Sequence, residues 1–232
     1  VLTVNSANSI IMVSLLLFAY IFSITFAGSM QALTAYWVAD DETATNAGFA
    51  DFNPFKHLGL IDFIFFYFIR FMLGNPIPLD VRQFRSQWHG ALLTIVCLSR
   101  AVVHVLFALA ASLGVMAAFR QGNALGAMQI VDELSTKTAG ASSSTYILGM
   151  FAVSMTYVNI VLAGISLVRD AVYSFVLYKF AKDEKFIEYA GPLMMFGVLL
   201  LFIIFGDTVI MMTQLLVSKG AELIASLIGI GR

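Results

Sequence analysis

Charge is scarce in this chain. Lys, Arg, Asp and Glu make up 12% of its 232 residues, about half the share found in a soluble domain. Hydrophobic residues reach 60%, a balance that excludes an ordinary soluble domain and places the chain among integral membrane proteins. The net charge of −1 excludes a nucleic-acid partner, which would need a basic stripe to neutralise phosphates. Cysteine occurs once, at Cys97 in an apolar run, so no intrachain disulfide can form. Proline occurs four times, and three of those residues crowd between 54 and 78. The chain opens on Val1, and its first apolar run is far too long for a signal-peptide core.

What the chain has instead is apolar length. Five stretches read as membrane segments, at about 10–38, 58–73, 90–119, 145–180 and 189–218. Lipid offers no partner for the backbone, so helices are the expected form. The fold class read from this pattern is an all-α integral membrane protein of one domain, residues 1–232. It has about five membrane helices or re-entrant segments, and a short C-terminal interfacial helix at 222–230. The 58–73 stretch is too short for an ordinary span and carries Asp62 and Arg70, so it reads as a tilted or re-entrant helix tucked against protein. Arg100 and His104 lie in the third segment, Arg169-Asp170 midway along the fourth, and Asp207 in the fifth. The connections are polar. Residues 39–57 are acidic, 75–89 hold Pro76, Pro78, Arg82 and Arg85, and 121–144 are rich in Gly, Ser and Thr. Residues 182–188 carry five charges in seven positions, which predicts a solvated turn. The positive-inside count favours a cytoplasmic side for it.

Between residues 27 and 79 the order of short motifs is specific. Ala27-Gly28-Ser29-Met30-Gln31 is followed by Ala35-Tyr36, Asp40-Asp41-Glu42-Thr43-Ala44, Gly48-Phe49, Asn53-Pro54-Phe55-Lys56-His57 and Asn75-Pro76-Ile77-Pro78-Leu79. This succession resembles the short bacterial branch of the site-2 protease family, the intramembrane zinc metalloproteases. There an H-E-x-x-H helix runs into A-Y, a D-x-T-A loop, a G-R step, an N-P-x-K-H-x-D-P segment and a K-P-V-P-V-N turn. The resemblance extends from about residue 14 to about residue 216 and is strongest at 35–80. It implies a site-2-protease-like helix arrangement and, from the bacterial branch, residence in the bacterial inner (cytoplasmic) membrane.

The resemblance also implies where the catalytic groups belong. Counting back from Ala35-Tyr36, the two histidines fall at Ala27 and Gln31, and the glutamate falls at Gly28. An intramembrane zinc protease needs paired imidazoles, a third ligand and a carboxylate to take the proton from metal-bound water. Alanine and glycine offer no donor atom, and glutamine is a poor zinc ligand. The third ligand, the Asp of an L-D-G motif after an N-x-x-P-x-P-P run, has its nearest match in Asp170 of Arg169-Asp170-Ala171, downstream of Asn159. The prolines of that run are absent, so the segment can be one continuous helix.

Several residues near these positions carry two readings each. His57 is either a remnant neighbour of the metal site or a residue at the start of a helix after a proline turn. His104 is either a metal recruit or a satisfied buried imidazole. Asp170 is a vestigial ligand neutralised by Arg169, or half of an interfacial pair at a helix bend. Asn53, His57, Arg100 and His104 are the vestigial pocket or charge-pair candidates. Arg100 needs an acidic partner at membrane depth, with Asp170 first and Asp62 second. The 21 phenylalanines read as lipid-facing or core packing. Gly28 and Ala32, small residues where bulky ligands would stand, read as contacts for a partner helix.

The expected function is therefore a pseudoprotease, without catalytic residues, metal or cofactor. It serves as a helix-binding scaffold among other integral membrane subunits and lipids. Two alternatives stay open. One is a divergent metalloprotease with metal held by His57, His104 and Asp170. The other is a transporter or ion-path component built on Asp62, Arg70, Arg100, Asp170 and Asp207.

Overall fold

The computed structural model describes residues 7–84, 89–119, 143–180 and 184–229. The expected loop at 121–144 and Arg85 lie almost wholly outside these, as do residues 181–183. Helix α1 (Ala7–Thr34) continues into a π turn, Ala35–Ala39. Its unbroken apolar run contains no proline or internal charge to interrupt it. A left-handed Asp40 (φ 62°) closes this turn, donating its N–H to the Ala35 carbonyl. Three short helices follow: α2 (Thr43–Asn46), α3 (Pro54–His57) and α4 (Leu60–Ile69). Extended chain and a 3-10 turn at Val81–Gln83 lead to α5 (His89–Phe119). Helices α6 (Ser143–Phe180) and α7 (Glu184–Ile228) complete the order, and no strand occurs among the described residues.

Four helices are long and apolar enough to cross a membrane, with candidate spans Ile10–Ala39, His89–Ala117, Ile147–Phe180 and Asp207–Ile228. Helix α6 runs unbroken past Asn159 and Asp170, as the missing prolines imply. Two expectations need correction. The helical start at Glu184 takes up most of the turn expected at 182–188. Nor is there a separate C-terminal helix: α7 continues through residue 222 to Ile228. The reason is local. Gly220 alone does not stop a helix, and Lys219 donates to Glu222 at 3.0 Å across the expected break.

The chain divides into two compact units. Unit 1 takes Val1–Ser23, Val105–Val161 and Met211–Arg232. Its core includes Val115 and Met116 of α5 against Ala221 and Ala225 of α7. The Asn159 amide donates to Ser23 Oγ (2.8 Å), tying α6 to α1. Unit 2 takes Ile24–His104 and Leu162–Ile210. Its core gathers Ala32, Ala35 and Ala39 with Ala44, Ile77, Leu79, Phe84, Leu93, Val96, Cys97 and Leu177. The alanines keep one side of α1 thin enough for the 77–84 segment and α5 to pack closely.

Helix α4 departs from expectation. The 58–73 stretch is helical only over Leu60–Ile69, with one side packed and the other open. Leu60, Ile61, Tyr67 and Phe68 are exposed, while Asp62 and Phe66 are buried. The helix ends at a left-handed Arg70 (φ 58°), whose guanidinium lies 5.7 Å from the Phe66 ring.

Candidate functional site

The positions where the resemblance puts catalytic groups lie in unit 2, on the second half of α1. Ala27, Gly28, Ser29, Gln31 and Ala32 are all buried. Gly28 and Ser29 are covered from the Asn53–His57 segment. Asn53 caps α3, its side chain accepting from Phe55 N–H at 3.0 Å, and Pro54 occupies the first helical turn. The second Asn-Pro segment clamps the first. The Asn75 N–H donates to the His57 carbonyl (2.7 Å), and its amide donates to the Lys56 carbonyl (3.1 Å).

This clamp aims His57 at α1. Its imidazole is fully buried, stands edge-on to Phe49 at 5.4 Å and lies with Nε2 3.1 Å from Ser29 Oγ. The Ser29 hydroxyl is 3.3 Å from the Asp51 carbonyl. A neutral ring protonated at Nε2 satisfies both contacts: it donates to Ser29, and Ser29 donates to Asp51. On the other side, a Cβ added at residue 28 would collide with Nδ1 of His57. Only glycine leaves room. Burial pushes the imidazole pKa down to about 4, helped by the Arg100 charge and opposed by backbone bonding to Phe49 and Asp51. The ring is therefore neutral near pH 7.

Gln31, at the second expected histidine position, donates to the Cys97 carbonyl of α5 at 3.4 Å. Ala27 and Ala32 are enclosed completely. Gly28 and Ala32 were expected to receive a partner helix, but that space is filled from within: His57 occupies it at Gly28, and the unit 2 core occupies it at Ala32.

A layer of buried charge lies beside this packing. Asp62 accepts three backbone N–H groups, from Gly59 (2.9 Å), Leu73 (3.0 Å) and Gly74 (2.9 Å). It thus closes both ends of the α4 excursion. Arg169 bonds its neighbour Asp170 at 2.7 Å, with both side chains buried, and also donates to the Leu73 carbonyl at 3.3 Å. Arg100 is 1% exposed and donates from Nη1 to the Asn75 carbonyl at 3.1 Å. Its guanidinium lies over Gly74 (φ 72°), where a Cβ would come 2.8 Å from Nη2.

The expected Arg100–Asp170 pair is thus not formed. Arg169, one residue away on the same helix, reaches the carboxylate first. Asp170, Asp62 and Arg169 act on Arg100 through their charge rather than by contact. The Arg169–Asp170 pair is buried in a continuous helix, not interfacial at a bend.

The remaining candidates are dispersed. Asn53 is an exposed cap. His104 is fully buried, one turn along α5 from Arg100. Asp207 is exposed. Among the described residues, no three His, Cys, Asp or Glu side chains gather in a way that could hold a metal ion, so His57, His104 and Asp170 do not form a site.

Three contributors escaped sequence reasoning: Ser29, Asp41 and Asn75. Asp41 is fully buried and accepts from Thr43 N–H (2.9 Å) and Asp80 N–H (3.0 Å). Its place two residues before Thr43 is a turn signature. Asn75 repeats the Asn-Pro step of Asn53, which is the signal that could have paired them. No protein family, characterised protein or solved structure matches the chain.

Proposed function

We propose that the chain is a non-catalytic membrane protein of site-2-protease-like architecture, serving as a helix-binding scaffold within a larger membrane assembly. One observation carries the reading. The space over Gly28, where a protease would hold its general base and metal-bound water, is filled by the chain's own neutral His57. Glycine there is required by packing, and Gln31 is turned onto a helix carbonyl. The backbone of the two Asn-Pro turns keeps a structural task that needs no chemistry.

Hydrogen bonding also supports a re-entrant segment at 58–73. Residue 57 packs level with residues 28–29, while Asp80 bonds Asp41 just beyond the end of α1. Residues 57–75 therefore sit at the depth of the first span, and α4, about 15 Å long, cannot cross a bilayer alone. Gly28 and Ala32 being covered, the outward side of α4, with Leu60, Ile61, Tyr67 and Phe68 exposed, is the surface beside them that a partner can take. Purification from native membranes in mild detergent should bring down integral membrane proteins in fixed ratio, and Ile61→Glu with Phe68→Glu should release them. A solitary chain that cleaves membrane peptides would contradict the proposal.

A second reading, an ion path, has one observation in its favour. In the buried charge layer, Arg100 Nε and Nη2 and Asp170 Oδ2 lack hydrogen-bond partners among the described residues. An ion flux in liposomes abolished by Arg100→Leu would support it over the scaffold.

A further inference from the structure

In unit 2, an open groove of about 350 Å³ runs between the first turns of α5 and the last turns of α6. Gly90, Thr94 and Leu98 form one wall, and Ala171, Ser174, Phe175 and Tyr178 the other. Gly90 lets the Tyr178 ring approach, since a Cβ there would meet the ring at 3.2 Å. The Lys179 ammonium lies over Phe175, 5.8 Å from the ring centre, so a cation stands against the groove wall.

The end of α1, the start of α5 and the end of α6 share one core, through Ala39, Leu93 and Leu177. The groove therefore begins at the boundary where three candidate spans end together. From Gly90 to Leu98 it covers about 12 Å of helix. That is close to one leaflet of hydrocarbon, half of a core about 30 Å thick. A crossing helix would need the whole thickness, whereas an acyl chain needs one leaflet.

We propose that this groove is a phospholipid site, taking one acyl chain between α5 and α6 and an anionic headgroup at Lys179. The assignment is independent of the scaffold reading, because it uses none of the residues around Gly28. Tyr178, exposed at the mouth, has the amphipathic ring suited to the interface.

The test is native mass spectrometry of the full chain in mild detergent, given equimolar phosphatidylglycerol and phosphatidylcholine. The wild type should retain one phosphatidylglycerol per chain in preference to phosphatidylcholine. Lys179→Gln should reduce that preference roughly fivefold, the effect of one lysine near an anionic surface. Ser174→Phe, which fills the groove, should lose both lipids. Equal retention of the two lipids by the wild type would overturn the proposal, as would unchanged lipid retention in Ser174→Phe. So would conversion of a dimer to a monomer by Ser174→Phe with lipid unchanged, because the occupant would then be a second copy.

Discussion

Gly28 and His57 make a pair whose energetics can be read in both directions. In an unconstrained helix, Gly→Ala stabilises by about 1 kcal/mol. Here the new methyl meets the His57 ring, so the sign should reverse, with Gly28→Ala costing about 1–3 kcal/mol as overpacking. In a His57→Ala background the same change should become neutral or stabilising. Thermal unfolding of the four variants in detergent checks this, and additive effects would show that the ring does not occupy that space. The buried imidazole also sets a pH dependence. Its folded pKa of about 4 lies below the ordinary value of 6.5, so the unfolded chain binds the extra proton between those values. Stability is full above about pH 6.5 and falls by on the order of 3 kcal/mol as pH drops toward 4. Unfolding measured across that window should flatten in His57→Gln. At this scale the sequence was legible as residue type: Ala27 and Gly28 carry no side-chain donor atom, and Gln31 carries an amide in place of an imidazole. That His57 fills the vacated space was not legible, because the contact joins residues 29 apart through a clamp from Asn75.

At the scale of elements, α6 holds the clearest test. Leaving one member of a buried ion pair without its partner costs about 3–5 kcal/mol. Arg169→Leu and Asp170→Leu should each destabilise to that order, and the double variant should recover much of the loss. The coupling of Arg100→Leu with Asp170→Leu should be smaller, because those two interact only through space. Double-mutant cycles by chemical unfolding rank the two couplings, and the reverse order would mean that Arg100 is the true partner. Helices α1, α5 and α6 were readable from apolar length and the lack of proline, including the continuity of α6, whereas α7 runs on through Pro192 and Gly220. The arrangement of 58–84 was not. Its geometry is set by Asp62 and Asp41, whose carboxylates bind backbone N–H groups up to 39 residues away. Such long-range capping leaves no periodic trace. The Gly59–Asp62 spacing, which starts α4, and the Asp41–Thr43 step are its local hints.

For the whole molecule, four helices are fit to cross a membrane, and the space over Gly28 is packed by the chain's own side chains. Around Gly28 the packing is internal: the His57 ring meets Gly28 and Ser29, while Gln31 bonds the Cys97 carbonyl of α5. Composition showed the membrane class directly. The exposed side of α4 and the α5–α6 groove emerged only from the fold, since both depend on which apolar residues the chain leaves uncovered. The central claim, that this fold carries no zinc chemistry, is tested most directly by metal content. The full chain, purified in mild detergent without chelator and equilibrated with zinc, should carry less than about 0.1 zinc per molecule after desalting, because three convergent ligands are needed. One zinc per chain, lost on His57→Ala or His104→Ala, would contradict it.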